Sequence, residues 1–363
     1  MTPSQTIDNL TQVVVLSTSE GILGGSQIFN QSLCHYLETQ GFEATLATAN
    51  PEMYSCKTYK VDSIRKRTDR VWVAFKLALE IREIGCRAVV LDDLSGLWLA
   101  PIFRLFGFKV FSILHLQLKK RDKWGFGHNL VSFHLLRLSS RVLHHAFSVG
   151  NANVEIFPIP VEFIGNFVGV NFFSVPRRKQ KKFDLGTVSR LSPEKNLGLL
   201  LHLVASLSRT SARAISCVIV GDGPDKEFLV QLAEQLDLSK NVTFLPWTPR
   251  SELPGVLDEI RCFAITSRHE GFPTTILESH ARGLPALVTK TSGFCPSFVN
   301  GFGLPTGFVF DEDDLGSFSV LKSIHSMIDR HESYESFCIS KAAKFSESIV
   351  LGRVSHRLKE CIS

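Results

Sequence analysis

The sequence predicts an α/β protein of two consecutive halves, each built on a parallel β-sheet. Three observations carry this. Short apolar runs alternate with helical segments in the first half, and the alternation restarts at Phe183; this is the pattern of strands joined by crossover helices. Between the halves lies a charged run, RRKQKK from Arg177 to Lys182, that has nothing to bury. The 363 residues are enough for two domains, each with its own core. The expected divisions are an N-terminal domain over 1–170, a basic linker over 171–183 and a C-terminal domain over 184–330. A helical segment, 331–363, is expected to cross back to the N-terminal domain.

In the first half, Gln12 to Leu16 reads as a buried strand and Gln27 to Thr39 as a helix. The loop between them holds Gly21, Gly24 and Gly25. Such a turn lets a ligand approach the backbone, although the spacing is not GxGxxG, and taken alone it reads first as a tight turn. Ala44 to Thr48 and Ala88 to Leu91 are further strands, with a helix around Val71 to Ile84. Asp92 and Asp93 follow and are expected to cap a helix or stay solvated. Lys109 to Leu114 is a strand with His115 at its C-terminal end, where ligands of open parallel sheets gather. A helix is expected from His128 to His145, and strand-like pieces at Phe147–Val149, Glu155–Phe157 and Ile164–Val168.

The second half opens with the strand Phe183 to Val188 and the loop SRLSPEKN, Ser189 to Asn196. Arg190 and Lys195 flank this strand-to-helix turn. Two cations there can neutralise a diphosphate, Arg as a planar fork and Lys as a point charge; alone, they also read as solvated loop cations. The helix Leu197 to Leu207, the strand Ser216 to Val220, the turn GDGP (Gly221 to Pro224) and the helix Lys226 to Leu236 follow. Val242 to Leu245 is a strand and Ser251 to Glu259 a short helix. The strand Phe263 to Thr266 then leads into SRHEGFPTTILESHARGLP, Ser267 to Pro285. Glu270 lies in its loop and Glu278 inside its helix, with Pro273 suited to the first helical position and Gly283 to the stop. A helix start presents free N–H groups and a positive dipole end, which suits a phosphate. Residues on either side of that start can reach the two ends of a sugar–diphosphate–ribose. Ala286 to Thr289 is the next strand, and Leu315 to Lys359 reads as helical.

Composition is globular, with 44% apolar and 21% charged residues. The eight cysteines are scattered, without CxxC pairs or zinc spacing, which predicts a reducing compartment and neither a disulfide framework nor a structural zinc site. Met1 to Leu10 lacks the basic and apolar regions of a secretory signal. The most apolar stretch, Leu94 to Leu118, is broken by Pro101, Arg104 and Lys109, so a cytoplasmic protein is expected, in contact with membranes at most peripherally. Basic charge is concentrated in two places: 103–141, with eight Lys/Arg against one Asp, and 171–183, with five and no acidic residue. The run KKRDKWGF, Lys119 to Phe126, combines cations with Trp124 and Phe126, which suits an anionic membrane surface. No nucleic-acid motif accompanies it.

Three pieces occur in order: Gly186 and Ser189-Arg190 with Lys195-Asn196; Gly221 to Pro224; and Glu270-Gly271-Phe272 with Glu278. Together they resemble the retaining glycosyltransferases of family 4, which have the GT-B fold of two Rossmann-like domains with parallel sheets facing a central cleft. Gly24-Gly25 and His115 are similar to that family's first-domain glycine loop and histidine. The resemblance implies that Arg190 and Lys195 hold a donor diphosphate, that Glu270 contacts the donor sugar and Glu278 the ribose. It implies further that the N–H groups of Thr274 and Thr275 face phosphate and sugar, and that Gly221 lies in the donor-binding set. His115 would sit by the reacting sugar, and Gly25 would let the diphosphate approach the first domain. No metal and no cofactor are expected, because Arg, Lys and the helix end replace them. Pro246, Phe167 and Pro273 stand where many members have Gly, and Pro273 favours UDP-sugars. The implied function is transfer of a hexose or N-acetylhexosamine from a nucleotide diphosphate sugar to a glycan hydroxyl. A lipid-linked acceptor is expected, as in polysaccharide or lipopolysaccharide biosynthesis. Alternatives are a nucleotide-sugar epimerase or hydrolase on the same fold, or a non-catalytic partner subunit.

Overall fold

A computed structural model describes residues 11–17, 25–61, 67–92, 96–115, 138–150, 159–178, 180–211 and 213–362, without the side chains of 67–70. The chain forms two compact units: residues 1–165 with 348–363, and residues 166–347. Each is a parallel sheet, as the sequence predicted.

The first unit holds β1 (Thr11–Leu16), β2 (Phe42–Thr48), β3 (Thr58–Lys60), β4 (Ala88–Asp92), β5 (Lys109–Leu114), β6 (His145–Ser148) and β7 (Val161–Phe163). Their spatial order is β3-β2-β1-β4-β5-β6-β7, every pair parallel. β4 is buried along its whole length, as expected of a central strand covered on both faces. Val14, Leu16, Val89, Leu91 and Val110 pack with Leu77 of the helix Arg67–Glu83 and Phe103 of Ala100–Leu105. Helix Glu347–Ile362 contributes from Ser348 onward: Arg357 lies 3.5 Å from Glu162, and the Lys359 ammonium stands 5.8 Å over the Phe42 ring.

The second unit holds β8 (Phe183–Val188), β9 (Cys217–Val220), β10 (Val242–Leu245), β11 (Ile260–Ile265), β12 (Ala286–Thr289) and β13 (Gly307–Phe310). The order is β10-β9-β8-β11-β12-β13, again all parallel. Leu200, Leu203 and Val204 of helix Leu197–Thr210 pack on Leu185, Cys217 and Ile219, with Ile324 and Ile328 of helix Phe318–Asp329 in the same core.

In both sheets the chain winds outward one way from its first strand and then outward the other way. The reversal falls between β1 and β4 in the first unit and between β8 and β11 in the second. Loops leaving the C-terminal ends of such neighbours diverge and open a crevice, where ligands of doubly wound sheets bind.

Several expectations need correcting. His145 opens β6 instead of closing a helix, because it pairs in register with Phe111. Pro273 is the N-cap with extended backbone (φ −66°, ψ 136°), and the helix runs Thr274–Ala281. β3, β7 and β13 were not foreseen; they are short edge or near-edge strands of three or four residues. The basic linker is tied down more than expected, with Lys181 Nζ donating to the Ile260 carbonyl (2.9 Å) and Lys182 paired to Glu259 (2.6 Å). Gly21, Gly24, Asp93, Lys119–Phe126 and Glu155–Phe157 lie outside the described residues, as does most of the expected helix His128–His145. The eight cysteines are free thiols.

Candidate functional site

The crevice of the second unit is built by the turns that follow β8 and β11. After β8, Ser189 to Asn196 carries Arg190 and Lys195. This turn is held by the GDGP turn after β9: Leu191 N–H donates to the Asp222 carbonyl (2.9 Å), and Asp225 N–H to that of Leu191 (3.0 Å). Gly221 has φ +142°, and a Cβ on it would lie 1.9 Å from the Ser189 carbonyl oxygen. Only glycine lets the two turns approach this closely. Gly221 thus sets the position of the turn that presents Arg190 and Lys195. Arg190 itself is exposed and makes no ion pair among the described residues.

After β11, the chain crosses the same crevice from the other side. Arg268 N–H donates to the Glu194 carbonyl (2.9 Å), and Thr266 Oγ1 to that of Lys195 (3.0 Å). These bonds bring Lys195 Nζ to 2.6 Å from Glu270 Oε1, which also accepts from Ser267 Oγ at 2.7 Å. Both side chains of the pair stay partly exposed, at 22% and 13%. Behind them Gly293 (φ +60°) packs so tightly that a Cβ would lie 1.8 Å from the Glu270 carbonyl oxygen. Phe272 is 3% exposed, with its ring 4.9 Å from Phe294, 5.0 Å from Phe298 and 5.3 Å from Phe345. This aromatic anchor fixes the entry to the helix that begins at Thr274. Thr274 and Thr275 are its first two residues, so their N–H groups have no partner inside the helix.

Glu278 points inward from that helix and is 3% exposed. It is paired with Arg250 at 2.8 Å. Burial pushes the Glu278 carboxyl up, and the Arg250 guanidinium opposes this. Arg250 also lies 5.7 Å over the Phe172 ring. The sequence reading missed Arg250. Its signal was position: it sits in the loop that leaves the C-terminal end of β10. The helix is held at its other end by Arg282, whose guanidinium makes two bonds to Asp258 (2.9 and 2.8 Å) and donates to the Phe172 and Val175 carbonyls.

In the first unit, the corresponding reversal gathers polar groups from β1, β4 and β5. His115 follows β5 and is 3.3 Å from Asp92 at the end of β4. Asp92 is 1% exposed, so the expectation of a solvated residue is wrong. It accepts from Asn30 Nδ2 (2.8 Å) and Ser17 Oγ (3.4 Å). Gly25 opens the helix Gly25–Thr39 and is exposed, with space for a Cβ among the described residues.

The structure therefore brings together Lys195 with Glu270 and Asp92 with His115. It places Glu278 on the helix after Glu270, with a partner of its own. Residues 171–339 match the family described as Glycosyl transferases group 1. Among curated relatives, the chain is 33% identical over 169 residues to a D-inositol 3-phosphate glycosyltransferase of Corynebacterium jeikeium, covering 45% of this chain and 40% of that protein. It is 31% identical over 144 residues to the UDP-Gal:alpha-D-GlcNAc-diphosphoundecaprenol alpha-1,3-galactosyltransferase of Escherichia coli, covering 39% and 35%. The chain thus spans well under half the length of these relatives. Among solved structures, Anabaena HepE in complex with UDP shares the fold, with a TM-score of 0.73 at 15% identity over 97% of this chain and 100% of that one. The likeness to the glycosyl transferases group 1 family thus falls within the second unit, residues 166–347.

Proposed function

We propose that the protein is a retaining glycosyltransferase that uses a nucleoside diphosphate sugar, with UDP as the favoured nucleotide. The observation that carries this is the Lys195–Glu270 pair at the reversal point of the second sheet, one turn before a helix that buries Glu278. Arg190, Lys195 and the free N–H groups of Thr274 and Thr275 neutralise the diphosphate. Glu278, ionised and held by Arg250, accepts the ribose hydroxyls. Glu270 accepts hydroxyls of the donor sugar, and His115 is assigned to the sugar undergoing transfer.

The chemistry asks for positioning and charge stabilisation more than for an acid or base. The bond from the anomeric carbon to the phosphate oxygen breaks, and the acceptor oxygen bonds that carbon on the same face. The acceptor proton passes to the departing phosphate. No carboxylate base is needed, so Glu270 and Glu278 act as two ends of a clamp on the donor, and no metal is assigned. The UDP preference is supported by the UDP-bound HepE and by the UDP-Gal-dependent relative. The relative's diphosphoundecaprenol-linked substrate supports a lipid-linked glycan acceptor, as in polysaccharide assembly. No described helix is long and apolar enough to cross a membrane, so contact with such an acceptor would be made at the bilayer surface.

The test is a panel of nucleotide sugars, each incubated in EDTA with undecaprenyl-diphosphate-linked sugars and followed by mass spectrometry. A mass gain of one sugar on the acceptor, lost in Glu270→Ala, is expected. Donor hydrolysis at equal rate with and without acceptor would overturn the transferase reading.

A further inference from the structure

The Glu270 carboxylate is fixed by Lys195 and Ser267, and the backbone that carries it is fixed from elsewhere in the second unit. Gly293 packs behind the Glu270 carbonyl. The Gly271 carbonyl accepts from Phe294 N–H at 3.3 Å. The Phe272 carbonyl accepts from Asn166 Nδ2 at 3.2 Å, across 106 residues of sequence. Asn166 is the first residue of the unit and is buried. Its Oδ1 accepts from Phe167 N–H at 3.0 Å. The amide is therefore used at both ends, oxygen toward an N–H and nitrogen toward a carbonyl, which defines its orientation. Two residues on, Val168 forms a parallel bridge with Ser346, and its N–H donates to the Phe345 carbonyl (3.0 Å). The Phe345 ring lies 5.3 Å from that of Phe272. The segment by which the chain enters the second unit is thus joined to the segment by which it leaves. Each also touches Phe272, Asn166 at its carbonyl and Phe345 at its ring. Pro273 follows as the N-cap of the helix that starts with Thr274 and Thr275. Phe272 therefore stands between Glu270 and that helix start.

We propose that Asn166 is a positioning residue for the loop Glu270-Gly271-Phe272, setting where Glu270 stands relative to the helix start by holding the Phe272 carbonyl. A carbonyl oxygen only accepts, so the group facing it has to donate. Asn166→Asp keeps the size and shape of the side chain and, ionised, offers no donor. The Phe272 carbonyl then faces a second acceptor, and the loop moves away from it. The effect falls on the sugar end of the donor, because the far end is assigned to Glu278, which has its own partner in Arg250. The inference rests on the reading of Glu270 as the contact to the donor sugar, and the experiment tells the two apart.

The experiment compares the wild type, Asn166→Ala, Asn166→Asp and Asn166→Gln, each also in the Glu270→Ala background, by transfer kinetics and calorimetric titration of UDP. Thermal melting shows which variants are folded. Asn166→Ala and Asn166→Asp should lower kcat about tenfold or more, with UDP affinity within about threefold of the wild type. Asn166→Gln keeps the amide donor and should recover part of the loss. In Glu270→Ala, where the carboxylate to be positioned is gone, the same replacements should change kcat by less than about twofold. If Asn166→Asp does not fold, Asn166→Ala decides, since it removes the donor without adding an acceptor. Full transfer by folded Asn166→Ala, with Glu270→Ala impaired, overturns the proposal and leaves the reading of Glu270 standing. An equal loss from Asn166→Ala with and without the Glu270 carboxylate also overturns it, because the residue then acts on the fold alone. Normal transfer by Glu270→Ala overturns the reading of Glu270 and the proposal with it.

Discussion

Lys195 and Glu270 meet at 2.6 Å although 75 residues separate them, because the turns after β8 and β11 leave adjacent strands in the middle of the second sheet. Each neutralises the other. On the proposed reading, a bound diphosphate competes with Glu270 for the ammonium. Glu270→Gln therefore frees Lys195 and should bind UDP as tightly as the wild type or more tightly, while sugar transfer falls about 100-fold or more. Lys195→Ala should weaken UDP about tenfold or more. Calorimetric titration of UDP, paired with a transfer assay, reads both; weaker UDP binding in Glu270→Gln would contradict the competition.

If Glu278 binds the ribose as proposed, it gives the site a pH dependence. Its carboxyl is pushed up by burial, against the opposing Arg250 charge, and only the ionised form accepts two ribose hydroxyls. UDP affinity should fall on acidification from above the ordinary carboxylate value of about 4.3, and Glu278→Gln should remove that dependence. The stability effect has the opposite sense. A raised carboxyl contributes stability that is full below the unfolded pKa and is lost as pH rises through the folded one. UDP titrations between pH 5 and 8 (roughly the range in which most folds are stable) check the first statement; affinity flat across that range would contradict it.

His280, two residues after Glu278 on the same helix, sits fully buried with Nε2 2.8 Å from Thr306 Oγ1. Burial, aided by the Lys341 ammonium, pushes its imidazole down to about 3. The unfolded chain takes up that proton near ~6.5. Its stability contribution is therefore complete above ~6.5 and is lost as pH falls toward the folded value. Urea unfolding at several pH values should show a shallower acid slope in His280→Gln than in the wild type.

Gly221→Ala tests the coupling of the two turns. The strained φ costs roughly 1–3 kcal/mol, and the Cβ would sit 1.9 Å from the Ser189 carbonyl oxygen. The melting temperature should fall, and UDP affinity should fall with it, because the turn that moves carries Arg190 and Lys195. A variant that melts normally and binds UDP normally would show that the turns are not coupled.

Trp247 is 70% exposed in the loop after β10, three residues before Arg250. If Glu278 takes the ribose as proposed, the exposed indole is expected to stack on the base. Trp247→Ala should weaken UDP by about 1–3 kcal/mol and leave the melting temperature unchanged. Equal UDP affinity in the variant would remove Trp247 from the site.

The second half was the more legible in the sequence, for a physical reason. Its central strands are short, mainly apolar runs bounded by Gly, Pro and charged turns, so β8, β9, β11 and β12 stand out, and with them Arg190, Lys195 and Glu270. Partners reached through space were not legible. Arg250 meets Glu278 across the unit, and only the strand order shows that the loops after β10 and β11 serve one helix. Asp92 was misread because a paired aspartate after a strand looks solvated until β1 and β5 are known to flank it. The edge strands β3 and β7 were missed because three residues carry no period.

The central claim is that Lys195, Glu270 and Glu278 hold a nucleoside diphosphate in the second unit. Calorimetric titration of UDP into the full chain in EDTA, with Lys195→Ala and Glu278→Ala alongside, tests it most directly. The account predicts saturable binding to the wild type at one site, weakened about tenfold or more in each folded variant. No binding of UDP or of any other nucleoside diphosphate to the wild type, or binding that both variants retain in full, would contradict it.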